Sequence, residues 1–204
     1  MAVLCGASVD LVEKRRIVIV SIREPDTGHR FTPFSLIAQH FVFRALADVE
    51  EYDAEFEGMW SSWRDMLTLD LTTWAEGDVS NRSDCHAWSS LPLCEIPAEV
   101  CGLKAAEPAF RATSFQPRVQ LYKNTQFSVL LGQRGLATVK WERSTADISR
   151  VSLSLSCVAI VHLRDRSGEE KTHEVSQDCP LHVYIPVHAD PNGNNAVAQI
   201  RTRG

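Results

Sequence analysis

No stretch of this 204-residue chain offers the roughly 20 consecutive apolar residues that a membrane-crossing helix requires; the apolar run Ile17-Val18-Ile19-Val20 is far too short. Nor do the first twenty residues read as an export signal. The apolar opening Ala2-Val3-Leu4-Cys5 is interrupted by Asp10 and by Glu13-Lys14-Arg15-Arg16, whereas a signal peptide places positive charge before a longer apolar run. The expectation is a soluble, unexported chain with no membrane partner, its compartment otherwise open. Basic residues are in deficit, 21 Lys and Arg against 26 Asp and Glu, for a net charge of -5, and apart from the triplet Lys14-Arg15-Arg16 they are spread along the chain. That argues against a nucleic-acid partner, whose footprint is a basic patch. Six cysteines are scattered without a Cys-x-x-Cys pair, so zinc is not expected, no metal or other cofactor is called for, and buried thiols are the default. Apolar residues make up 44% of the chain, enough for a core, which excludes disorder throughout.

What the chain does contain is a concentrated group of polar and aromatic residues. The stretch Leu71-Thr72-Thr73-Trp74-Ala75-Glu76-Gly77-Asp78 is followed closely by Arg82-Ser83-Asp84-Cys85-His86-Ala87-Trp88-Ser89. A lone acidic residue in a loop is ordinarily solvated decoration. Here carboxylates, an imidazole and two indoles, Trp74 and Trp88, gather in a predicted inter-helical loop, where chemistry tends to be placed. The composition suits a sugar: an aromatic face covers the apolar face of a pyranose, while Glu, Asp and His bind hydroxyls and move protons. Thr72, Thr73 and Gly77 disfavour helix, and Asp84 is expected as a helix N-cap.

These two stretches, with Glu107-Pro108-Ala109-Phe110 leading to Phe115-Gln116-Pro117 and with Phe31-Thr32-Pro33-Phe34 upstream, resemble the C-terminal part of the α-L-rhamnosidases of glycoside hydrolase family 78 over roughly residues 30 to 143. The most specific element is Ser83-Asp84-Cys85-His86-Ala87-Trp88-Ser89. The resemblance implies an α+β chain: an N-terminal helical segment from the end of an (α/α)6 barrel, residues 1–102, followed by a small antiparallel β-sandwich, residues 103–204. It implies inverting removal of terminal α-L-rhamnose, with Glu76 as general base and His86 in contact with the sugar, helped by Trp74 and Trp88. The general acid would come from an earlier part of the barrel, outside these residues. The chain is therefore expected to be an incomplete catalyst, inactive alone. Two alternatives stand beside this reading: a non-catalytic carbohydrate-binding accessory module, and a truncated gene product whose exposed helix faces self-associate.

In order along the chain, residues 9–22 are compatible with either a helix end or a strand, and Pro25-Asp26-Thr27-Gly28 is a turn by its chemistry. Thr32-Pro33 reads as an N-cap followed by a first-turn proline. Phe34, Ile37, Ala38, Phe41, Val42, Ala45, Leu46 and Val49 recur at helical spacing as one apolar stripe, with Gln39, His40, Arg44 and Asp48 opposite, so His40 is expected at a surface or groove. A second helix carries Tyr52, Phe56, Met59, Trp60, Trp63, Met66 and Leu67, forming a helical hairpin with the first. Trp60 and Trp63 lie on the core stripe and are assigned to packing. The acidic run 48–57 is expected as a solvated face near a helix N-terminus.

Pro92 and Pro97 interrupt the next helix, which is expected to break near Pro92, restart at about Cys94 and close at Gly102. Beyond Leu103 the period changes from 3.6 to 2. Strands are expected over 110–119, 126–131, 136–143, 151–155, 158–163 and 181–187, with turns at 132–135 and 166–168. Trp141 is expected in the core, and His162, His173, His182 and His188 at the surface or hydrogen-bonded. The tail from Asp190 reads as frayed.

Overall fold

The computed structural model describes residues 3–23, 35–77, 83–164 and 169–187. The turns expected at 25–28 and 166–168, the cap at Thr32, the residues Phe34, Asp78 and His188, and the tail lie outside the described residues. The chain divides between Cys94 and Glu95 into two compact units.

The first unit is helical. Its first element, α1 (Leu11–Arg23), resolves the ambiguity of residues 9–22 in favour of helix. Asp10 accepts from the Glu13 amide at 2.8 Å, occupying one of the amides that a helix start leaves without an intrahelical partner. Helix α2 (Leu36–Asp48) has Ser35 at its N-cap position and buries Leu36, Phe43, Ala45 and Leu46, with Val49 just beyond. The expected stripe is thus corrected by a rotation. Phe43 is fully buried, whereas Ile37 and Phe41 are 52% and 45% exposed. A helix this rich in apolar residues offers two candidate stripes, and periodicity alone does not choose between them.

The second expected helix is two helices, α3 (Tyr52–Met59) and α4 (Ser61–Thr68), parted at Trp60, whose ψ of 5° leaves the helical range. Tyr52, Phe56, Met59, Trp60, Trp63 and Met66 are all buried, while Leu67 is exposed, against expectation. Phe43 meets the rings of Tyr52, Trp60 and Trp63 at centroid distances of 6.1, 5.1 and 6.0 Å, and Trp60 lies 5.3 Å from Trp63. These distances suit tilted aromatic packing, and the assignment of both tryptophans to the core holds. His40 is exposed, as expected. The acidic run is only partly a solvated face. Asp48 pairs with Lys14 at 2.9 Å and Glu51 with Arg15 at 2.8 Å, so two of its members tie α1 to the α2–α3 connection.

From Ala87 the chain passes through three helical pitches in turn. A 3₁₀ turn (Ala87–Ser90) is followed by a single α-turn, α5 (Pro92–Glu95), and a π-turn (Ile96–Val100). Helix restarts at Pro92 itself, earlier than the expected Cys94, because proline at a first helical position gives up only an amide that would have no partner. Pro97 removes the amide that would reach back four residues, and the turn widens until the Cys101 amide donates to the Ile96 carbonyl at 2.8 Å. Gly102 closes the run at φ 71°.

Among the described residues the second unit contains eight strands in two four-stranded sheets, which together with α1–α4 make the chain α+β. One sheet has the order β1-β2-β6-β7: β1 (Leu103–Ala105), β2 (Ala112–Phe115), β6 (Ala159–Arg164) and β7 (Glu170–Val175). The other has the order β3-β4-β5-β8: β3 (Asn124–Leu130), β4 (Leu136–Arg143), β5 (Ile148–Leu155) and β8 (Leu181–Pro186). Every pair is antiparallel except β2 with β6, which run parallel in the register Thr113 to Val161, a departure from the antiparallel expectation. The reason is topological: β3, β4 and β5 intervene as a separate sheet, so the chain returns to β2 by a crossover.

Strands β1 and β7 were not expected. β7, Glu-Lys-Thr-His-Glu-Val, is polar nearly throughout because it is an edge strand, where inward-pointing charged residues are tolerated. The alternation of Val151, Leu153 and Leu155 with Ser152 and Ser154 is real, since the three aliphatics are buried and the two serines are not. Trp141 is 1% exposed and its indole donates to the Tyr122 carbonyl at 2.9 Å, as a core tryptophan should. Buried thiols are not the rule: Cys5, Cys85, Cys94 and Cys179 are exposed, Cys157 is half-buried, and only Cys101 is buried, with burial pushing its thiol up to about 12.

Candidate functional site

The two stretches singled out from the sequence are joined backbone to backbone. After α4 the chain turns at Asp70, whose φ is 53°. It then runs back so that the Glu76 amide donates to the Ser83 carbonyl at 2.8 Å and the His86 amide donates to the Trp74 carbonyl at 2.7 Å. The partners step in opposite directions along the chain, in the manner of an antiparallel hairpin. One segment spans two residues between these bonds and the other three. The extra residue resembles a bulge, and Cys85 takes up the mismatch at φ 68°, a left-handed conformation uncommon for a residue with a Cβ.

This hairpin brings the side chains together. His86 Nε2 is 3.8 Å from a Glu76 carboxylate oxygen, with the imidazole 20% and the carboxylate 51% exposed. The separation lies beyond a direct hydrogen bond but within the range of charge attraction when the imidazole is protonated. The Trp88 ring lies 4.4 Å from the imidazole, centroid to centroid, at an interplanar angle of 57° and is 46% exposed. Trp74 is half-buried, and Ala75 between it and Glu76 is completely buried, which pins the segment beneath the carboxylate. Asp84 is exposed and does not occupy the N-cap position, which belongs to His86.

Two further residues hold this face from beneath. The Trp63 indole donates to the Ser89 carbonyl at 2.8 Å in a buried hydrogen bond. Ser89 is fully buried, and its amide donates to the His86 carbonyl at 3.1 Å. The sequence marks Trp63 only as a member of a core stripe. Its polar edge carries no periodic signal, so the partner becomes visible only in three dimensions. The arrangement is a half-exposed carboxylate beside an imidazole, with an indole ring adjoining and the amides of Glu76, His86 and Ser89 hydrogen-bonded. It can bind a polyhydroxylated ring and accept a proton from water or a hydroxyl. Among the described residues no three His, Cys, Asp or Glu side chains are grouped to hold a metal ion, and no helix is long and apolar enough to cross a membrane.

No family model and no curated protein matches the chain. Solved structures do. The chain is similar to a native α-L-rhamnosidase from Aspergillus terreus at 17% identity and a TM-score of 0.63, over 86% of this chain and 21% of that one. It is similar to a family GH78 rhamnosidase from Bacillus sp. GL1 at 23% identity and a TM-score of 0.65, over 79% and 18% of the two chains. An α-L-rhamnosidase from Dictyoglomus thermophilum matches at 14% identity and a TM-score of 0.53, over 74% and 18%. At these identities the likeness is one of fold: the chain resembles a C-terminal portion of such an enzyme. It spans about a fifth of the length of the chains it matches.

Proposed function

We propose that this chain carries the base side of an α-L-rhamnosidase-like glycoside hydrolase site, with terminal α-L-rhamnose of a glycoside as its ligand. The observation that supports the reading most directly is the 3.8 Å approach of Glu76 to His86 on a hairpin flanked by Trp74 and Trp88. In this reading Glu76 takes a proton from the water that attacks the anomeric carbon, and His86 binds a sugar hydroxyl. Trp88 and Trp74 cover the apolar face of the ring. Inversion requires a second carboxyl group, roughly 6.5–9.5 Å from the base, to protonate the leaving oxygen. None of the residues in the hairpin is assigned that role. The two four-stranded sheets, each with one buried face, are read as the two layers of a β-sandwich, and the helices as the last part of an (α/α) barrel.

Removing one member of an acid–base pair costs roughly 100- to 10,000-fold, so the 204-residue chain is expected to bind L-rhamnose while hydrolysing an aryl α-L-rhamnoside at or near background. Calorimetric titration with L-rhamnose tests the binding half, with Glu76→Gln and His86→Ala as controls. Heat that is unchanged in both variants, or no binding to a folded chain, would overturn the reading.

A further inference from the structure

We infer that Trp63 is a positioning residue for the face carrying Glu76, His86 and Trp88, acting through the buried hydrogen bond from its indole nitrogen to the Ser89 carbonyl. The inference rests on the functional reading above and extends it to a residue that touches no ligand. His86, Ala87, Trp88 and Ser89 are consecutive, and the 3₁₀ turn from Ala87 to Ser90 sets the direction in which His86 and Trp88 project. That turn has no side-chain cap at its start. Besides the bonds within the turn, two reach beyond it: the His86 amide donates to the Trp74 carbonyl at 2.7 Å on the hairpin side, and the Trp63 indole donates to the Ser89 carbonyl at 2.8 Å on the core side. Removing the second takes away the hydrogen bond that fixes the turn to α4.

Trp63 is well suited to be the fixed end. It is 5% exposed, and its ring packs against Phe43 and Trp60, with centroids 6.0 and 5.3 Å away. A ring buried against two other aromatic rings has little rotamer freedom, which fixes the direction of its N–H. The acceptor is a backbone carbonyl, so the identity of residue 89 is not what the bond reads. The Ser89 hydroxyl is buried with no hydrogen-bond partner among the described residues, and Ser89→Ala leaves the carbonyl in place. The two positions therefore separate cleanly: position 63 supplies the anchor and the hydroxyl at 89 contributes nothing to it.

The test uses the full chain with residue 63 replaced site-specifically by benzothienylalanine, which keeps the bicyclic ring but exchanges the N–H for sulfur. Trp63→Phe is a second variant and Ser89→Ala the control. A buried hydrogen bond contributes about 0.5–1.5 kcal/mol net, equivalent to roughly 2- to 10-fold in a local equilibrium. The amides of Glu76, His86 and Ser89 should exchange roughly that much faster in the benzothienylalanine protein, while the amides of α2 keep their protection. L-Rhamnose affinity should fall by a similar factor, and Ser89→Ala should change neither quantity. Uniform acceleration across α2, α3 and α4 would show a role confined to core stability and overturn the inference. So would unchanged exchange at 76, 86 and 89. If the unmodified chain binds no rhamnose, the functional reading fails while the exchange pattern still decides whether the anchor exists.

Discussion

Replacing Gly102 by alanine should be among the most damaging single-methyl additions in the second unit, and the structure shows where the cost arises. Gly102 sits at φ 71°, where a residue with a Cβ is disfavoured by about 1–2 kcal/mol. An alanine Cβ would also lie 2.1 Å from the backbone carbon and oxygen of Gln116 and 2.5 Å from the nitrogen of Pro117, well inside any tolerable contact. Neither obstacle is a side chain that can swing aside. The backbone at 116–117 must retreat by about an ångström, straining the Gln116 amide to Gly102 carbonyl bond of 2.9 Å and the Arg118 amide to Val100 carbonyl bond of 3.1 Å. At about 0.5–1.5 kcal/mol for each bond, the total reaches about 2–5 kcal/mol, a large share of the ~5–15 kcal/mol by which domains are stable. Urea unfolding followed by far-ultraviolet circular dichroism, with amide resonances of β1 and β2 as a local probe, measures it. A loss below about 1 kcal/mol would refute the claim that backbone crowding at 116–117 requires glycine here.

Gly58, inside α3, gives the opposite expectation, because an alanine Cβ at that position would meet nothing within 4 Å: Gly58→Ala should stabilise the helical unit by about 0.5–1 kcal/mol in the same assay. Glu99, 1% exposed, faces Lys104 at 2.7 Å and Arg118 at 2.9 Å, and Glu99→Gln removes the charge that both cations meet. Because Lys104 is half exposed and screened, a loss of about 2–3 kcal/mol in urea is expected rather than the full cost of breaking a buried pair. His173 on β7 has its Nε2 buried without a hydrogen-bond partner among the described residues; burial, and secondarily the charge of Lys171, push its imidazole below the ordinary 6.5. Between those two values the unfolded chain binds the proton that the folded one refuses, so stability falls as pH drops below about 6.5 and levels off beneath the depressed value. Thermal unfolding of His173→Phe across pH 5 to 7 should show a shallower decline than the parent chain; identical slopes would remove His173 from the account.

Much of the architecture was legible because it rests on local periodicity. Helices α2 to α4, the switch to strands after Gly102, the buried alternation of β5, and the core placement of Trp60, Trp63 and Trp141 all follow from spacing and side-chain type. The failures have equally local causes. α2 carries two overlapping apolar stripes, and only packing against Tyr52, Trp60 and Trp63 selects the one containing Phe43. β7 is polar because it lies at an edge, so no hydrophobic pattern announces it. The π-turn at Ile96–Val100 answers the missing amide of Pro97, and a sequence marks the interruption without saying whether the chain breaks or widens.

The candidate site divides in the same way. Sequence alone determined which groups are available, since carboxylate, imidazole and indole chemistry belongs to residue type, and Glu76, His86, Trp74 and Trp88 lie within fifteen positions. It could not determine that they meet. The 3.8 Å between Glu76 and His86 depends on a backbone pairing across residues 76 and 83, on the left-handed turn at Cys85, and on an indole in α4 that reaches a carbonyl 26 residues away. Distances of that kind are set by how the chain closes on itself, and closure is a property of the packed whole rather than of any segment read in order.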